Sequence, residues 1–269
     1  MEILFQREGK KSIDKKDLDF FINQASSLKD LPVKEIVNTF NSISSYWISR
    51  ECKVRDLIIS EGMGFIVAWL KKKNINKLLS TNFKTISSLD KPTFDNLSNS
   101  FLYTRPLGIA VHWIAGNVPV LGVISLFQSL LTKNKSIVKV PANFKNLLPT
   151  ILEDLNDSSY FSKPVKEIID TLLSSVLILY IDQEDFESQQ KLSRNADIRI
   201  VWGGLEAVSS VIRLEKKINC RDIIFGPKIS LAYVSKNRLQ DEKDLTLLSK
   251  ALADDIFAFD QAGCNSPHN

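Results

Sequence analysis

The sequence predicts an α/β fold in which helices cover both faces of a mostly parallel sheet. Two observations support this prediction. Strand-like and helix-like segments alternate from about residue 100 onward, and such alternation is typical of parallel sheets. The chain has 269 residues, of which 44% are hydrophobic and 25% charged, which is the balance of a globular protein with a substantial core.

The first hundred residues are predicted to be mostly helical. Apolar residues recur at helical spacing over 17–28, 33–43 and 54–70, with a weak point in the Gly-containing segment 61–64. Segment 82–99 is polar and rich in turn-forming residues. We therefore expect a boundary near residue 100.

After this boundary the sequence pattern alternates between short β-branched runs and amphipathic segments. The predicted strands are 107–113, 136–140, 176–181, 198–202, 222–225 and 229–234. The predicted helices are 118–131, 146–155, 165–173, 185–193, 205–212 and 241–259.

The stretch 106–132 contains no Asp, Glu, Lys or Arg. It passes the usual length for a membrane-spanning helix, but Gly108, Gly116, Pro119 and Gly122 interrupt it. These breaks favour a buried strand, a tight loop and a buried helix in succession, so we expect no membrane span.

The charge balance and the cysteines exclude several classes of protein. A net charge of +4 from 35 basic and 31 acidic residues is too small and too scattered to indicate nucleic-acid binding. Three widely spaced cysteines, without a CxxC pair or a Cys/His cluster, argue against a disulfide framework and a zinc site. They indicate a reducing compartment. Because the N-terminal segment is charged and unlike a signal peptide, we expect a cytoplasmic protein and no bound metal.

Three loops are predicted at the carboxyl ends of strands, where open α/β sheets bind ligands. These loops are 115–117, 141–143 and 203–204. The chain has no GxGxxG sequence, so the ordinary dinucleotide-binding fingerprint is absent.

The segment 260–267, Asp-Gln-Ala-Gly-Cys-Asn-Ser-Pro, is the most informative motif. Cys264 follows a long amphipathic segment and a small Ala-Gly pair, which would keep its sulfur accessible as a nucleophile toward a carbonyl. The alternative is a buried structural thiol. Cys52 and Cys220 lie in a helical stretch and just before a strand, where a structural role is expected.

Four further positions have both a functional and a structural interpretation. The Asn117 amide can stabilise a developing oxyanion or close a turn. Lys139 can hydrogen-bond a nucleotide ribose, or extend its charge to solvent from a strand end. The Gly203-Gly204 pair can let the backbone approach a cofactor, or form a strand-to-helix turn after Trp202.

These motifs together resemble a known family. The residues that carry the likeness are 106–108, 112–119, 134–141, 202–204 and 261–267, in this order and spacing. They are similar to LuxC-type acyl-CoA reductases, the fatty acid reductases of bacterial luminescence, which form a branch of the aldehyde dehydrogenase superfamily. The likeness covers the chain from about residue 100 to its end.

The resemblance implies a Rossmann-like sheet of the aldehyde dehydrogenase type. It divides the chain into a helical N-terminal region (1–100), a cofactor-binding domain (101–260) and the start of an incomplete catalytic domain (261–269). It further implies NADPH as cofactor, a homo-oligomer, and an acyl-protein synthetase and an acyl-transferase as partner subunits.

The resemblance also implies a reaction and roles for individual residues. A long-chain fatty acyl thioester, on CoA or on a protein, would be reduced to a fatty aldehyde. Cys264 would form the acyl-enzyme, and Asn117 with the Cys264 backbone N–H would hold the oxyanion. Lys139 and the turn formed by Trp202, Gly203 and Gly204 would lie against the cofactor.

Two departures from related aldehyde dehydrogenases affect the mechanism. Segment 224–227, Ile-Phe-Gly-Pro, stands where hydrolytic relatives carry a glutamate that activates water, so water is poorly activated here and reduction is favoured. Segment 141–143, Pro-Ala-Asn, lacks the carboxylate that binds the ribose 2′-hydroxyl in many NAD-specific relatives. A 2′-phosphate would therefore be tolerated.

Two other functions remain open on sequence alone. One is a short-chain CoA-acylating aldehyde dehydrogenase that uses NAD. The other is a non-catalytic nucleotide-binding or scaffold module.

Overall fold

The computed structural model describes residues 1–7, 15–239, 242–257, 263 and 266. The strands are β1 (Glu2–Gln6), β2 (Thr93–Asp95), β3 (Ser100–Leu102), β4 (Ile109–Trp113), β5 (Lys135–Lys139), β6 (Val176–Tyr180), β7 (Ile198–Trp202) and β8 (Arg221–Phe225). The α-helices are α1 (Lys15–Asn23), α2 (Val33–Trp47), α3 (Arg55–Ser60), α4 (Gly64–Trp69), α5 (Lys72–Asn82), α6 (Leu121–Leu131), α7 (Leu147–Asp157), α8 (Lys163–Ser174), α9 (Phe186–Asn195), α10 (Leu205–Ile212) and α11 (Glu242–Phe257).

Six strands form one sheet in the order β1-β6-β5-β4-β7-β8. β4 to β8 are parallel to one another, and β1 joins the β6 edge in the antiparallel direction. The predicted α/β fold with a mostly parallel sheet is therefore confirmed. β2 and β3 form a separate two-stranded hairpin.

Hydrophobic side chains on the two faces of the sheet enter two separate cores. Val138 of β5 and Ile178 of β6 pack with α2 to α8, whereas their neighbours Ile137 and Leu177 pack with α1, α9 and α10. This division follows from the alternation of side chains along a strand. The same alternation decides which candidate side chains can meet.

The N-terminal hundred residues contain more than the helices that the sequence predicted. β1 extends the main sheet, and the β2–β3 hairpin precedes β4. Helices α3 and α4 are separated at Glu61–Met63, where Gly62 has a φ of 68°, in agreement with the predicted weak point. The division of the chain near residue 100 stays a prediction.

The uncharged stretch 106–132 forms the buried strand β4, a loop and the buried helix α6, as predicted. Within the described ranges, no helix has both the length and the apolar character needed to cross a bilayer. The prediction of a strand over 229–234 is wrong, because only Ser230 forms an isolated bridge. Ile229, Leu231 and Tyr233 are 83%, 80% and 94% exposed, so these side chains are not buried in the core of a sheet.

Candidate functional site

The candidate site lies at the carboxyl edge of the sheet, where the strand order changes direction. From β4 the chain moves to β5 and β6 on one side, and then returns to β7 on the other side of β4. Open α/β sheets bind ligands at such a switch point. The three predicted loops follow β4, β5 and β7, so they share this edge.

Register fixes how close the strand ends are. Trp113 at the end of β4 is aligned with Lys139 of β5 and with Val201 of β7. Because neighbouring strands lie about 4.8 Å apart, the ends of β5 and β7 are about 10 Å apart across β4. This span brings the three loops within reach of a single extended ligand.

The loop after β4 carries Asn117, which is exposed to solvent. Its neighbour Gly116 is tied to the loop after β5, because Asn143 Nδ2 donates a hydrogen bond to the Gly116 carbonyl oxygen. A Cβ atom on Gly116 would lie 2.8 Å from Asn143 Oδ1 and 3.3 Å from Pro141 Cβ. A side chain at position 116 would therefore displace Asn143 from its hydrogen bond, and glycine permits the close approach that holds the Asn117 loop at the edge.

Lys139 is the last residue of β5, and its side chain is only partly exposed. Burial lowers the pKa of Lys139, and the charge of Asp182 opposes this shift. The Lys139 carbonyl oxygen accepts a hydrogen bond from Ile114 N at 3.1 Å. The backbone of Lys139 thus secures the start of the Asn117 loop, and its amine stands at the same edge.

The Gly203-Gly204 turn connects β7 to α10. Gly203 N donates to the Phe225 carbonyl oxygen at 3.2 Å, and Gly204 is the N-cap residue of α10. A Cβ atom on Gly204 would meet no heavy atom within 4 Å. An exposed helix start with open space beside it is suited to an anionic group such as a phosphate.

Trp202 turns its ring away from this open turn. Its Nε1 donates to Ser125 Oγ at 3.1 Å, and its ring stacks on Phe225 with centroids 3.8 Å apart and planes inclined by 12°. Ser125 Oγ also lies 2.7 Å from Nδ1 of His112, which is fully buried. Burial lowers the pKa of His112 to about 3, so this imidazole is neutral at ordinary pH.

The side chains of Lys139 and Trp202 lie on opposite faces of the sheet. Lys139 is aligned with Trp113, which packs in the core containing α9 and α10. Trp202 contacts Ser125 of α6 and belongs to the other core. Lys139 and the start of α10 therefore share one face, whereas the Trp202 ring faces α6.

Cys264 lies outside the described residues. Its described neighbours Gly263 and Ser266 are both buried, and Ser266 N donates to the Gly263 carbonyl oxygen at 3.0 Å. The predicted pairing of Cys264 with Asn117 stays a prediction.

Sequence reasoning missed three contributors to this edge. Asn143 lay in a predicted loop, but only the structure links it to Gly116. Ser125 and Phe225 were read as part of a buried helix and part of a strand, and their contacts with Trp202 depend on packing between distant segments. The only signal for Ser125 in the sequence was its polarity within the mostly apolar α6, which it shares with Gln128 and Ser129.

Solved aldehyde dehydrogenases share this fold. Lactaldehyde dehydrogenase from Escherichia coli matches with a TM-score of 0.61 at 17% identity, over 94% of this chain and 51% of that one. An NAD⁺ complex of an aldehyde dehydrogenase from Bacillus cereus matches with a TM-score of 0.64 at 10% identity, over 93% and 50% of the two chains. The predicted sheet of the aldehyde dehydrogenase type is therefore confirmed.

Sequence comparisons identify the family. The long-chain acyl-protein thioester reductase of Aliivibrio fischeri is 26% identical over 268 aligned residues, which cover 91% of this chain and 52% of that protein. The chain thus spans about half the length of the curated relatives it matches. The family model described as acyl-CoA reductase (LuxC) matches residues 28–269. Sheet order, edge loops and this match over most of the sequence lead to one conclusion: the chain belongs to the acyl-CoA reductase (LuxC) family.

Proposed function

We propose that this chain takes part in the NADPH-dependent reduction of a long-chain fatty acyl thioester to a fatty aldehyde through an acyl-cysteine at Cys264. The observation that carries the proposal is the family match over residues 28–269. The name of the Aliivibrio fischeri relative, a long-chain acyl-protein thioester reductase, supports an acyl-protein thioester as the substrate, and the description of the family supports acyl-CoA.

In the proposed reaction the Cys264 thiolate attacks the thioester carbonyl carbon. The carbonyl oxygen becomes an oxyanion, which accepts hydrogen bonds from the Asn117 amide and the Cys264 backbone N–H. When the tetrahedral intermediate collapses, the substrate thiol leaves as a thiolate, takes up a proton, and an acyl-cysteine remains. Each oxyanion donor is expected to contribute about 10²–10³ in rate.

The edge residues suit a nicotinamide dinucleotide. When bound, NADPH would supply the hydride that converts the acyl-cysteine to an aldehyde and a free thiol. The open N-terminus of α10 at Gly204 suits its phosphates, and Lys139 is on the same face to contact a ribose. Gly203 and Trp202 would shape the turn, with the Trp202 ring directed to α6.

Two local features favour reduction with NADPH over hydrolysis with NAD. Segment 224–227, Ile-Phe-Gly-Pro, stands where hydrolytic relatives carry a Glu-Leu-Gly-Gly run, so Ile224 takes the place of their general base and no carboxylate there activates water. The loop 141–143 carries no acidic residue, and it would therefore not repel a 2′-phosphate.

Mass spectrometry of the intact chain tests the proposal directly. The chain would be incubated with tetradecanoyl-CoA, with and without NADPH, beside Cys264→Ala and the matched control Cys220→Ala. We expect an acyl adduct on the wild type and on Cys220→Ala, and none on Cys264→Ala. An adduct of equal yield on Cys264→Ala would overturn the assignment of the nucleophile.

The two alternatives give different results in simple assays. A short-chain CoA-acylating enzyme would be acylated faster by acetyl-CoA than by tetradecanoyl-CoA, and would bind NADH more tightly than NADPH. In a scaffold module, Cys264 would react with a thiol reagent no faster than a free thiol does.

The remaining expectations concern partners and location. Acyl-protein synthetase and acyl-transferase subunits stay proposed partners, as does a second copy of the chain. The β2–β3 hairpin supports self-association, because Phe94 and Phe101 are 48% and 71% exposed with rings 5.3 Å apart. Cys52 and Cys220 are free thiols, which suits the proposed reducing compartment.

A further inference from the structure

An apolar groove runs along the sheet face opposite to Lys139. It has a volume of about 420 Å³ and lies between α5, α6 and the strands β7 and β8. Its walls include Leu79, Phe83, Gln128, Ile200, Ile223 and Phe225. We call it the β8 groove. Small-molecule sites typically have volumes of about 300–1,000 Å³, so the size suits a ligand.

The walls of the β8 groove are suited to hydrocarbon. No charged side chain lines it within the described part of the chain. Three of its polar side chains already hydrogen-bond to the protein: Ser125 to Trp202, Ser129 to Ser136, and Asn134 to the backbone of Leu107. Because these groups are satisfied internally, they offer little to a polar ligand. An apolar ligand would leave none of their hydrogen bonds broken.

The groove has the length of an acyl segment of about ten carbons. It extends from Ile198 at the start of β7 to Phe225 at the end of β8, which is aligned with Trp202. These four residue steps correspond to about 13 Å. An extended hydrocarbon advances about 1.3 Å per carbon with C–C bonds of about 1.5 Å, so about ten carbons fit along it.

One end of the groove reaches the candidate site. Ser125 and Phe225 line the groove and hold the Trp202 ring between them. Trp202 is followed directly by the Gly203-Gly204 turn at the carboxyl edge. An acyl chain in the groove would therefore place its carbonyl end at this edge, while the face with Lys139 and α10 stays open for the cofactor.

We infer that the β8 groove binds the hydrocarbon chain of the acyl substrate and that its length sets how many carbons contribute to binding. This inference rests on the proposed function, because it assigns the groove to the substrate of that reaction. The acyl chain and the cofactor then lie on opposite faces of the sheet and meet only at its carboxyl edge.

Fatty acid binding to this chain tests the inference without catalysis. Saturated fatty acids from hexanoic to hexadecanoic acid would displace the fluorescent polyene cis-parinaric acid. Burial of each methylene stabilises binding by about 0.8 kcal/mol, which is about fourfold in Kd. We expect this gain per carbon up to about ten methylenes, and a plateau beyond that length.

A bulky residue in the groove should abolish this dependence. Gln128 is exposed on α6 and lines the groove, so Gln128→Trp would fill it without disturbing the core. We expect dodecanoic acid to bind at least about tenfold more weakly, since several methylenes are excluded. Glu167→Trp, at an exposed position of α8, is the matched control and should bind like wild type.

Three outcomes would overturn the inference. The affinity of the wild type does not rise with chain length, or Gln128→Trp and Glu167→Trp bind dodecanoic acid equally well. The third outcome is that the wild type binds no fatty acid, which is expected if a protein segment such as α11 covers the groove. Acylation of Cys264 by tetradecanoyl-CoA is measured in parallel. Acylation without a groove effect removes this inference alone, whereas length-dependent binding without acylation removes the proposed reaction and leaves the β8 groove as a hydrocarbon-binding site.

Discussion

Trp202 Nε1 donates a 3.1 Å hydrogen bond to Ser125 Oγ, and this bond joins the last residue of β7 to the middle of α6. The same hydroxyl lies 2.7 Å from His112 Nδ1 in β4. One serine therefore satisfies two polar side chains that the apolar α6 face would otherwise leave unpaired. It also fixes the Trp202 ring at the end of the β8 groove that lies next to the Gly203-Gly204 turn.

Ser125→Ala should destabilise the fold. The substitution removes the described partner of Trp202 Nε1 and of His112 Nδ1, and a buried polar group without a partner costs about 1–3 kcal/mol. The free energy of unfolding in urea measures the loss. Ser129→Ala is a useful comparison, because Ser129 bonds only to another serine among the contacts described for its hydroxyl. Equal stability of wild type and Ser125→Ala would contradict this account.

His112 should make the protein sensitive to acid. Burial lowers the pKa of His112 to about 3, whereas an unfolded histidine has a pKa of 6.5. Between these values the unfolded chain binds a proton that the folded chain does not, so stability falls as pH decreases below 6.5. The slope is about 1.4 kcal/mol per pH unit.

The comparison with His112→Phe isolates this effect. Urea unfolding at several pH values between 7 and 4 would give the difference in slope, since the carboxylates titrate in both proteins. We expect the variant to lose less stability per pH unit than wild type. Parallel curves for the two proteins would show that His112 does not remain neutral in the fold.

The sheet was predictable because its signals are local. β6 consists of Val-Leu-Ile-Leu-Tyr, buried on both faces, and its predicted bounds differ from the observed ones by one residue. β1 was not predicted, since a five-residue strand with polar ends at Glu2 and Gln6 is stable only through pairing with distant β6. The alternating apolar pattern at 229–234 predicted a strand that does not form, because such a pattern gives a strand only where another strand is available for pairing.

The site was predictable only in part. Loops at the carboxyl ends of β4, β5 and β7 follow from strand order, and glycines mark two of them. The face of the sheet on which each side chain lies depends on the exact strand limits. Only the structure could therefore show that Lys139 and Trp202 lie on opposite faces. The role of Ser125 depends on how α6 is rotated against the sheet, which no local pattern encodes.

Lys135 should make stability rise at alkaline pH. Lys135 is 6% exposed, and its amine donates to the carbonyl oxygens of Phe21 and Gln24 at the end of α1. Burial lowers the pKa of Lys135 to about 8 from 10.5. Between these values the unfolded chain binds more protons, so the free energy of unfolding increases with pH.

Lys135→Met tests this prediction. Unfolding in urea between pH 8 and pH 10 should show a slope that is up to about 1.4 kcal/mol per pH unit larger in wild type than in the variant. Lys191→Met, at a lysine paired with Asp19 on the surface, controls for the loss of one amine. Identical slopes for wild type and Lys135→Met would contradict the prediction.

Arg199 should be essential for the position of α10. It is 1% exposed and binds both carboxylate oxygens of Asp222, at 2.7 and 2.9 Å. Its Nη1 also donates to the carbonyl oxygens of Val211 and Leu214 at the end of α10. Arg199→Met leaves these acceptors without their buried donor, and a broken buried pair costs about 3–5 kcal/mol.

The double variant Arg199→Met with Asp222→Leu removes both charges. It should recover part of the stability lost in Arg199→Met, because no partly buried carboxylate then lacks its arginine partner. Chemical denaturation of the four proteins in this cycle measures the coupling. Additive losses would show that the Arg199–Asp222 pair contributes nothing as a pair.

Gly204→Ala should separate cofactor binding from stability. A methyl group at this N-cap position meets no heavy atom within 4 Å, so the free energy of unfolding should change by less than about 1 kcal/mol. The same methyl group would occupy the space through which a phosphate approaches the start of α10. We therefore expect NADPH to bind about tenfold more weakly, a loss of about 1.4 kcal/mol. Calorimetric titration of the full chain measures it.

Gly64→Ala is the matched control, since its added methyl group also meets nothing within 4 Å and it lies at the first residue of α4. It should bind NADPH as wild type does. Gly203→Ala differs from both, because its Cβ would lie 2.9 Å from the Ala207 Cβ, and it should lose stability together with binding. Wild-type affinity in Gly204→Ala would place the cofactor away from α10, and the arrangement of ligands on the two faces of the sheet would have to be abandoned.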